Sequence, residues 1–293
     1  MPARETEIIG EEEITEIVGI GIFEDIKRAK NNLNSILNSF SYIPFSEEEL
    51  SQLLNVIAQS PDPDMALNDL ERLLTSAVKK REIASYIFSD MNIFSSVIKI
   101  FGTSQFLGNI ILSHPEYVQK VLNTETLKDE KVVSVMIKEI NIDEDDLSQD
   151  TVTEKLRTFK NREFLRIGAR DILGIAPLPV ITEEISAIAS ACLEAAYKFA
   201  EKSVRKTFGI PYYRTKDGEL KESRFCVIGL GKLGGWELNY SSDIDIIYIY
   251  STDEGETSGI ESNGKVKNKI TLHEYYTKIG EIINKLISSS TDE

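Results

Sequence analysis

One stretch, from Phe225 to Tyr250, constrains the fold of this chain more than any other part of it. An apolar run leads into a turn rich in glycine, and a short polar connection leads into a second apolar run that opens with Asp243-Ile244-Asp245. The pattern predicts a strand, a tight turn with a short helical or irregular link, and a second strand. Because side chains alternate between the two faces of a strand, Asp243 and Asp245 are predicted to project from one face and Ile244 from the other.

Two carboxylates so close together suit a divalent cation. In a dry site they would repel each other, and a bound cation relieves that repulsion. Mg²⁺ prefers oxygen ligands and is often held by one or two carboxylates together with substrate phosphates, while glycines allow the backbone to approach a phosphate closely. The stretch therefore predicts a metal–nucleotide site with Asp243 and Asp245 as metal ligands. The simpler alternative, an edge strand with two solvated aspartates, stays open.

The glycines also match two other phosphate-binding patterns, and both fail on the residues that follow. The segment Gly229–Gly234 fits the G-x-G-x-x-G fingerprint of dinucleotide-binding proteins. However, the next strand is predicted to begin by Ile244, which leaves too little chain for a crossover of roughly a dozen residues or more. A phosphate-binding P-loop needs Ser or Thr after its lysine, and Lys232 is followed by Leu233.

The same residues resemble the nucleotidyltransferase motif of the glutamine synthetase adenylyltransferases, also called glutamate–ammonia-ligase adenylyltransferases. The resemblance rests on Gly231–Gly235, Glu237-Leu238 and Ser242–Asp245. It covers roughly residues 101–293. The upstream segments that look like the family are Phe101–Gly108, His114–Glu116, Phe164–Asp171 and Thr182–Ser186.

The resemblance implies an α+β fold in two domains. A mostly helical bundle would occupy residues 1–206, and a partial nucleotidyltransferase core, similar to that of DNA polymerase beta, would occupy residues 207–293. Members of the family carry two catalytic halves. The start of the sequence and the polar insert before His273–Tyr276 look like the N-terminal half, which removes AMP from glutamine synthetase by phosphorolysis. The C-terminal half adds AMP from ATP, and the motif alone does not separate the two directions.

The resemblance also implies roles for individual residues and partners. Asp243 and Asp245 would be catalytic and would hold Mg²⁺ or Mn²⁺, with ATP or ADP and phosphate as substrates. Lys232 is equally consistent with a structural surface lysine. Glutamine synthetase and a PII-type nitrogen-signalling protein would be partners, and glutamine an effector. The residues implied to bind the nucleotide and its phosphates are Gly231, Lys232, Gly234, Gly235 and Ser242.

A third carboxylate is expected in the family on a strand after the next helix. Here that helix is predicted over Thr271–Ser288, and the sequence ends shortly afterwards. We therefore expect the sequence to be a fragment that stops before the third catalytic strand and that is inactive or nearly inactive alone. The alternative is a non-catalytic module that binds nucleotide or docks on glutamine synthetase.

Composition excludes some classes of function. A net charge of −15 argues against a nucleic-acid polymerase, which needs a basic surface for phosphates. A hydrophobic fraction of 41% is typical of globular proteins, and no apolar run approaches the roughly 18 residues of a membrane span. A cytoplasmic protein without nucleic-acid or membrane partners is expected. Cys192 and Cys226 are predicted to be buried, reduced thiols rather than a disulfide or a metal pair.

Local signals predict several element boundaries. Ser46, Thr182 and Thr271 are predicted helix N-caps. Gly209–Glu222 is predicted to form a hairpin or loop, and Ser251–Lys269 a surface loop or lid.

Two arginines one helical turn apart, Arg166 and Arg170, face the same way. They fit either a phosphate or, as we favour, a set of ion pairs within the helices.

Overall fold

The computed structural model describes residues 9–40, 45–76, 79–142, 147–262 and 264–289. Helices come first along the chain and most strands follow, which confirms the predicted α+β fold with a mostly helical N-terminal region. The helices are α1 (Glu11–Val18), α2 (Ile26–Ser39), α3 (Glu47–Ala58), α4 (Pro63–Ser76), α5 (Lys80–Ile87), α6 (Met91–Phe101), α7 (Gln105–Ser113), α8 (Tyr117–Val121), α9 (Thr124–Lys128), α10 (Val133–Ile140), α11 (Gln149–Ile172), α12 (Leu178–Phe208), α13 (Gly231–Gly234) and α14 (Leu272–Ser289). The strands are β1 (Pro211–Arg214), β2 (Leu220–Glu222), β3 (Phe225–Gly229), β4 (Ile246–Tyr250), β5 (Glu256–Thr257), β6 (Ile260–Ser262) and β7 (Lys265–Lys267).

The chain divides into two compact units. The first comprises the residues through Asp129 together with Phe164–Pro177, and the second comprises Glu130–Glu163 together with the residues from Leu178 onward. Helix α11 therefore contributes residues to both. The predicted domain boundary at residues 206 and 207 lies near the end of α12, and it remains a prediction.

The helices of the first unit pack through apolar stripes. In α6, for example, Phe94, Val97, Ile98 and Phe101 are all buried. These positions follow the i, i+3, i+4, i+7 spacing of one helical face, so burying that face is what makes this segment a stable helix.

Two of the three predicted N-caps are confirmed. Ser46 Oγ and Thr271 Oγ1 each accept a hydrogen bond from the N–H three residues further on, both at 3.2 Å. The cap predicted at Thr182 is wrong, since α12 begins earlier, at Leu178. Pro179 fits the first turn of a helix, where its missing N–H has no helical acceptor. Thr182 Oγ1 instead donates to the Pro179 carbonyl at 3.0 Å.

The two arginines on α11, Arg166 and Arg170, are buried and hydrogen-bonded to the main chain. Arg166 and Arg170 are 1% and 2% exposed, and their Nη1 atoms both donate to the main-chain carbonyl of Asp129, at 2.8 and 3.1 Å. Guanidinium groups buried on a carbonyl of their own unit are not presented to a soluble phosphate. The arrangement therefore favours a structural role for the pair.

An ion-pair network around one buried carboxylate stabilises the second unit. Lys131 Nζ lies 2.8 Å from Glu163 Oε1 and 2.9 Å from Glu139 Oε2, and the Glu163 side chain is 1% exposed. Arg162 Nε contacts the same Glu163 oxygen at 3.1 Å. A buried carboxylate requires this compensation, because desolvation penalises its charged form.

We expect Lys131→Met to lower the free energy of unfolding by about 2 kcal/mol, because the buried Glu163 carboxylate loses a cation 2.8 Å away. Urea unfolding followed by circular dichroism measures this. The matched control is Lys198→Met, since the Lys198–Glu194 pair is 3.7 Å apart with both side chains more than 40% exposed. Its loss should cost less than about 1 kcal/mol. Equal losses in the two variants would contradict the prediction.

The described strands pair in three antiparallel sheets, in the orders β2-β1-β5, β3-β4 and β6-β7. Pairing of β1 with β2 confirms the hairpin predicted within Gly209–Glu222. The stretch Ser251–Lys269 is more structured than the predicted surface loop, because it contains β5, β6 and β7. These strands are two or three residues long and mostly exposed, so they lack the apolar alternation that marks a strand in sequence.

The β3–β4 sheet packs one face against the helices of the second unit. A Cβ added at Gly280 of α14 would lie 3.1 Å from the Tyr248 ring of β4, and the Tyr248 hydroxyl donates to Asn284 Oδ1 at 2.7 Å. The Phe225 ring of β3 lies between Tyr248 and Tyr276, with centroids 5.4 and 5.3 Å away. Aromatic packing on this face fixes the sheet and leaves the other face outward.

The two cysteines occupy different environments. Both are free thiols, as predicted, but only Cys192 is buried. Burial raises the pKa of the Cys192 thiol to about 12. Cys226 is exposed, so its predicted burial is wrong. It lies on the outward side of β3, where alternation places every second residue.

Candidate functional site

The predicted strand, turn, short helix and strand are present in the second unit. Strands β3 and β4 pair antiparallel, with Gly229 opposite Ile246. Past the last pair, the Leu230 N–H donates to the Asp245 carbonyl at 2.8 Å. The second strand starts later than predicted, at Ile246 rather than Ile244. Asp245 therefore lies directly before the first residue of β4. Its backbone is hydrogen-bonded to the segment Gly229–Gly235, hereafter the glycine corner.

Burial alternates along the approach to β4. Asp243 and Asp245 are exposed, whereas Ile244 and Ile246 are partly buried. This alternation agrees with the prediction that both carboxylates lie on one side, and that side faces away from the apolar packing of β4.

The Asp245 carboxylate lies against the start of the glycine corner. Gly231 has φ +51°, and a Cβ added there would be 3.4 Å from Asp245 Oδ2. An L residue at this backbone angle is strained, and its side chain would point at the carboxylate. Glycine at position 231 thus allows the positive φ of the turn without strain and leaves the space beside the Asp245 carboxylate open.

Close packing explains a second glycine. A Cβ at Gly234 would lie 2.7 Å from the Gly229 carbonyl oxygen, whereas the nearest contact of a Cβ at Gly235 would be the side chain of Glu237, at 3.2 Å. The N–H groups of Gly234 and Gly235 donate to the carbonyls of Leu230 and Gly231, each at 3.0 Å. These two donors are satisfied within the corner, so any part these glycines take in phosphate binding rests on their lack of side chains.

The remaining predicted residues lie in or beside the loop that joins the corner to the aspartates, Trp236–Ser242, hereafter the connecting loop. Lys232 is exposed on α13. The Ser242 hydroxyl donates to Asn239 Oδ1 at 2.6 Å and accepts from the Asn239 N–H at 3.2 Å. It closes a tight turn directly before Asp243, and binding a phosphate would require it to exchange one of these bonds.

One hydrogen bond of the connecting loop was not predicted from the sequence. The Leu238 N–H, in the connecting loop, donates to Ser186 Oγ on α12 at 3.1 Å. A serine within the apolar stripe of a helix has no periodic signal, and its partner lies far along the chain.

A cavity beside this region does not include the aspartates. It has a volume of about 450 Å³ and lies along β3 and α12, with aromatic and small residues in its walls. Its lining includes Tyr197, Phe225, Val227, Gly234 and Trp236. The carboxylates are instead presented at an open surface, which suits a macromolecular substrate better than an enclosed pocket would.

The donor set fits a hard cation held through few protein ligands. Two carboxylates on one side of a chain are the oxygen donors that Mg²⁺ or Mn²⁺ uses, with substrate phosphates and water completing the shell. Within the described ranges, no group of three or more His, Cys, Asp or Glu side chains is placed to hold a metal ion. Asp243 and Asp245 thus fit a cation that arrives with its nucleotide better than one bound by protein alone.

Among the helices of the described residues, none combines the length and the apolar character needed to cross a membrane.

Comparison with known proteins identifies the family. The family model of glutamate-ammonia ligase adenylyltransferase matches residues 94–293. The chain is similar to proteins named bifunctional glutamine synthetase adenylyltransferase/adenylyl-removing enzyme. The relative from Thioalkalivibrio sulfidiphilus is 27% identical over 82% of this chain and 24% of its own length. The relative from Haemophilus ducreyi is 36% identical over 52% of this chain and 15% of its own length. That from Mannheimia haemolytica is 31% identical over 68% and 20%.

The chain thus spans about a quarter or less of the length of these curated relatives. The family match covers well over half of the chain and includes the glycine corner, the connecting loop and both aspartates. On this ground, the chain belongs to the glutamate-ammonia ligase adenylyltransferase family.

Proposed function

We propose that this chain carries the metal–nucleotide site of an enzyme that removes AMP from an adenylyl-tyrosine of glutamine synthetase, with phosphate as the attacking group. The observation that carries the proposal is the placement of Asp243 and Asp245 on the open side of the chain, with Asp245 tied to the glycine corner. The names of the relatives support glutamine synthetase as the target. The likeness of the segment before His273–Tyr276 to the deadenylylating half supports the direction.

The reaction exchanges one phosphorus–oxygen bond for another. An oxygen of inorganic phosphate forms a bond to the α-phosphorus of the adenylyl group, and the bond from that phosphorus to the tyrosine oxygen breaks. The products are ADP and, after the released oxygen takes up a proton, tyrosine. Charge builds on the attacking and leaving oxygens. Mg²⁺ or Mn²⁺ held by Asp243 and Asp245 supplies stabilisation of that charge when bound.

The residues around the carboxylates have supporting roles in this proposal. Gly231, Gly234 and Gly235 leave room for phosphate oxygens beside the corner. Lys232 brings an exposed positive charge to them, and the Ser242 hydroxyl offers a further hydrogen bond. In adenylylation, the tyrosine oxygen attacks the α-phosphorus of ATP and the bond from that phosphorus to pyrophosphate breaks. This is the same kind of phosphorus chemistry, and the products separate the two reactions: ADP from phosphorolysis, pyrophosphate from adenylylation.

Location and regulation follow the family. We place the protein in the cytoplasm, with a PII-type nitrogen-signalling protein as a partner and glutamine as an effector.

Binding of ADP in the presence of Mg²⁺ tests the site directly. We expect Asp243→Asn to weaken Mg²⁺-dependent ADP binding by about tenfold or more in calorimetry, because it removes a charged ligand of the cation. The matched control is Asp217→Asn, which makes the same change at an exposed position in the turn between β1 and β2. Equal affinities for wild type and Asp243→Asn would refute the metal role.

A second candidate function is a non-catalytic module that binds nucleotide or docks on glutamine synthetase. The observation that favours it is the lack, among the described residues, of a third acidic side chain grouped with the pair. Assaying phosphorolysis by this chain beside a longer protein that contains it discriminates the two. We expect activity in the longer protein alone. Equal activity would contradict the expected need for a third carboxylate, and inactivity of both would favour the binding module.

A further inference from the structure

We infer that Ser186 is a positioning residue of the candidate site, which holds the connecting loop in the conformation that presents Asp243 and Asp245 to the metal–nucleotide complex. The inference rests on the proposed function, and it begins with the hydroxyl itself. Ser186 is fully buried. Its Oγ donates to the Thr182 carbonyl at 2.8 Å and accepts from the Leu238 N–H at 3.1 Å. Both sides of the hydroxyl are therefore used, one within α12 and one on the loop.

Leu238 is the anchor of the connecting loop. It is 2% exposed, while Trp236, Glu237, Asn239 and the two residues after it are exposed. Leu238 is the one fully buried side chain among the described residues of this loop, while Trp236 and Tyr240 are still 46% and 39% exposed, so the position of the loop depends strongly on Leu238 and on hydrogen bonds. A buried N–H such as that of Leu238 also requires an acceptor, and Ser186 supplies it.

The bond joins two short turns at their meeting point. On one side, the Glu237 N–H donates to the Lys232 carbonyl at 2.9 Å, which ties the loop to α13. On the other side, the Ser242 N–H donates to the Asn239 carbonyl at 3.2 Å, and this turn runs straight into Asp243. Releasing Leu238 frees the second turn from the helix and lets Asp243 move relative to Asp245, which β4 and the glycine corner still hold.

The test compares two serines of the same helix. Ser186→Ala removes the acceptor of the Leu238 N–H. Ser190→Ala removes a hydroxyl one turn further on, where Ser190 Oγ donates only to the Ser186 carbonyl at 2.9 Å among the bonds described. Ser186→Cys is the conservative variant, because sulfur retains weak acceptor capacity at similar size. Two quantities are measured in the full chain: hydrogen exchange of peptides containing Leu238, and the affinity for ADP with Mg²⁺.

In Ser186→Ala, we expect exchange at Leu238 to be about tenfold faster and Mg²⁺–ADP affinity to be about three- to tenfold weaker, the scale of one hydrogen bond. Ser190→Ala should match wild type in both, and Ser186→Cys should fall between. Unchanged exchange in Ser186→Ala, or faster exchange with unchanged affinity, would overturn the positioning role.

The Mg²⁺–ADP affinities of Asp243→Asn and Ser186→Ala together distinguish failure of the proposed function from failure of this inference. If Asp243→Asn binds Mg²⁺–ADP as wild type does, the metal site is refuted together with any positioning of it. If Asp243→Asn weakens binding and Ser186→Ala does not, this inference alone is refuted.

Discussion

Asp243→Asn and Asp245→Asn are each expected to slow phosphorolysis of adenylylated glutamine synthetase by the full-length enzyme on the order of 10³-fold or more. Each change keeps the shape of the side chain and removes a charge that, in the proposed mechanism, holds the cation. In the proposed mechanism the cation would stabilise both the attacking and the leaving oxygen, so its loss would act on the transition state and the rate constant at saturating substrate should fall. Rates of ADP formation measure the effect.

Stability should be nearly unaffected by the same changes. Both aspartates are exposed, so the free energy of unfolding should stay within about 0.5 kcal/mol of wild type. Asp217→Asn serves again as the control for charge. Retention of more than about a tenth of the activity by either site variant would argue against the metal role of that residue.

Gly234→Ala is expected to lower the free energy of unfolding by about 2 kcal/mol, the scale of overpacking in a tight structure. The added methyl would lie 2.7 Å from the backbone oxygen of Gly229, so strand β3 and α13 must separate. Since the Leu230 N–H donates to the Asp245 carbonyl, the shift should also reach the proposed metal site. We expect weaker Mg²⁺–ADP binding in addition to the loss of stability.

The neighbouring glycine provides the control for this substitution. Gly235→Ala adds the same methyl where the nearest atoms belong to the exposed Glu237 side chain, and that side chain can move. Urea unfolding and calorimetry on both variants separate the outcomes. If Gly235→Ala were as damaging as Gly234→Ala, the steric explanation would be wrong.

Local signals predicted much of the fold. The caps at Ser46 and Thr271 are confirmed because the residues that form them are within three positions of each other. The start of α12 was misplaced because a proline signals the end of one helix and also fits the first turn of the next. The strands β5 to β7 were missed because short exposed strands carry no apolar pattern.

In the candidate site, too, features that depend on neighbouring residues could be predicted from the sequence, and features that depend on tertiary contacts could not. The placement of Asp243 and Asp245 on one side of the chain could be predicted from alternation, since it depends only on adjacent residues. Gly234 was assigned to phosphate approach, but its most evident constraint is a contact with Gly229. Ser186 was not found as part of the site, because its bond to Leu238 joins residues far apart in sequence, and such tertiary contacts leave no local periodicity.

The position of the aspartates just outside the ladder has an evolutionary consequence. Their side chains are exposed and precede the first paired residue of β4, so folding places little demand on them. A homologous copy that lost both acids would still assemble the same sheet and helices. Natural selection for a stable fold therefore cannot preserve these two positions, and acids kept there across a lineage would record selection on chemistry alone.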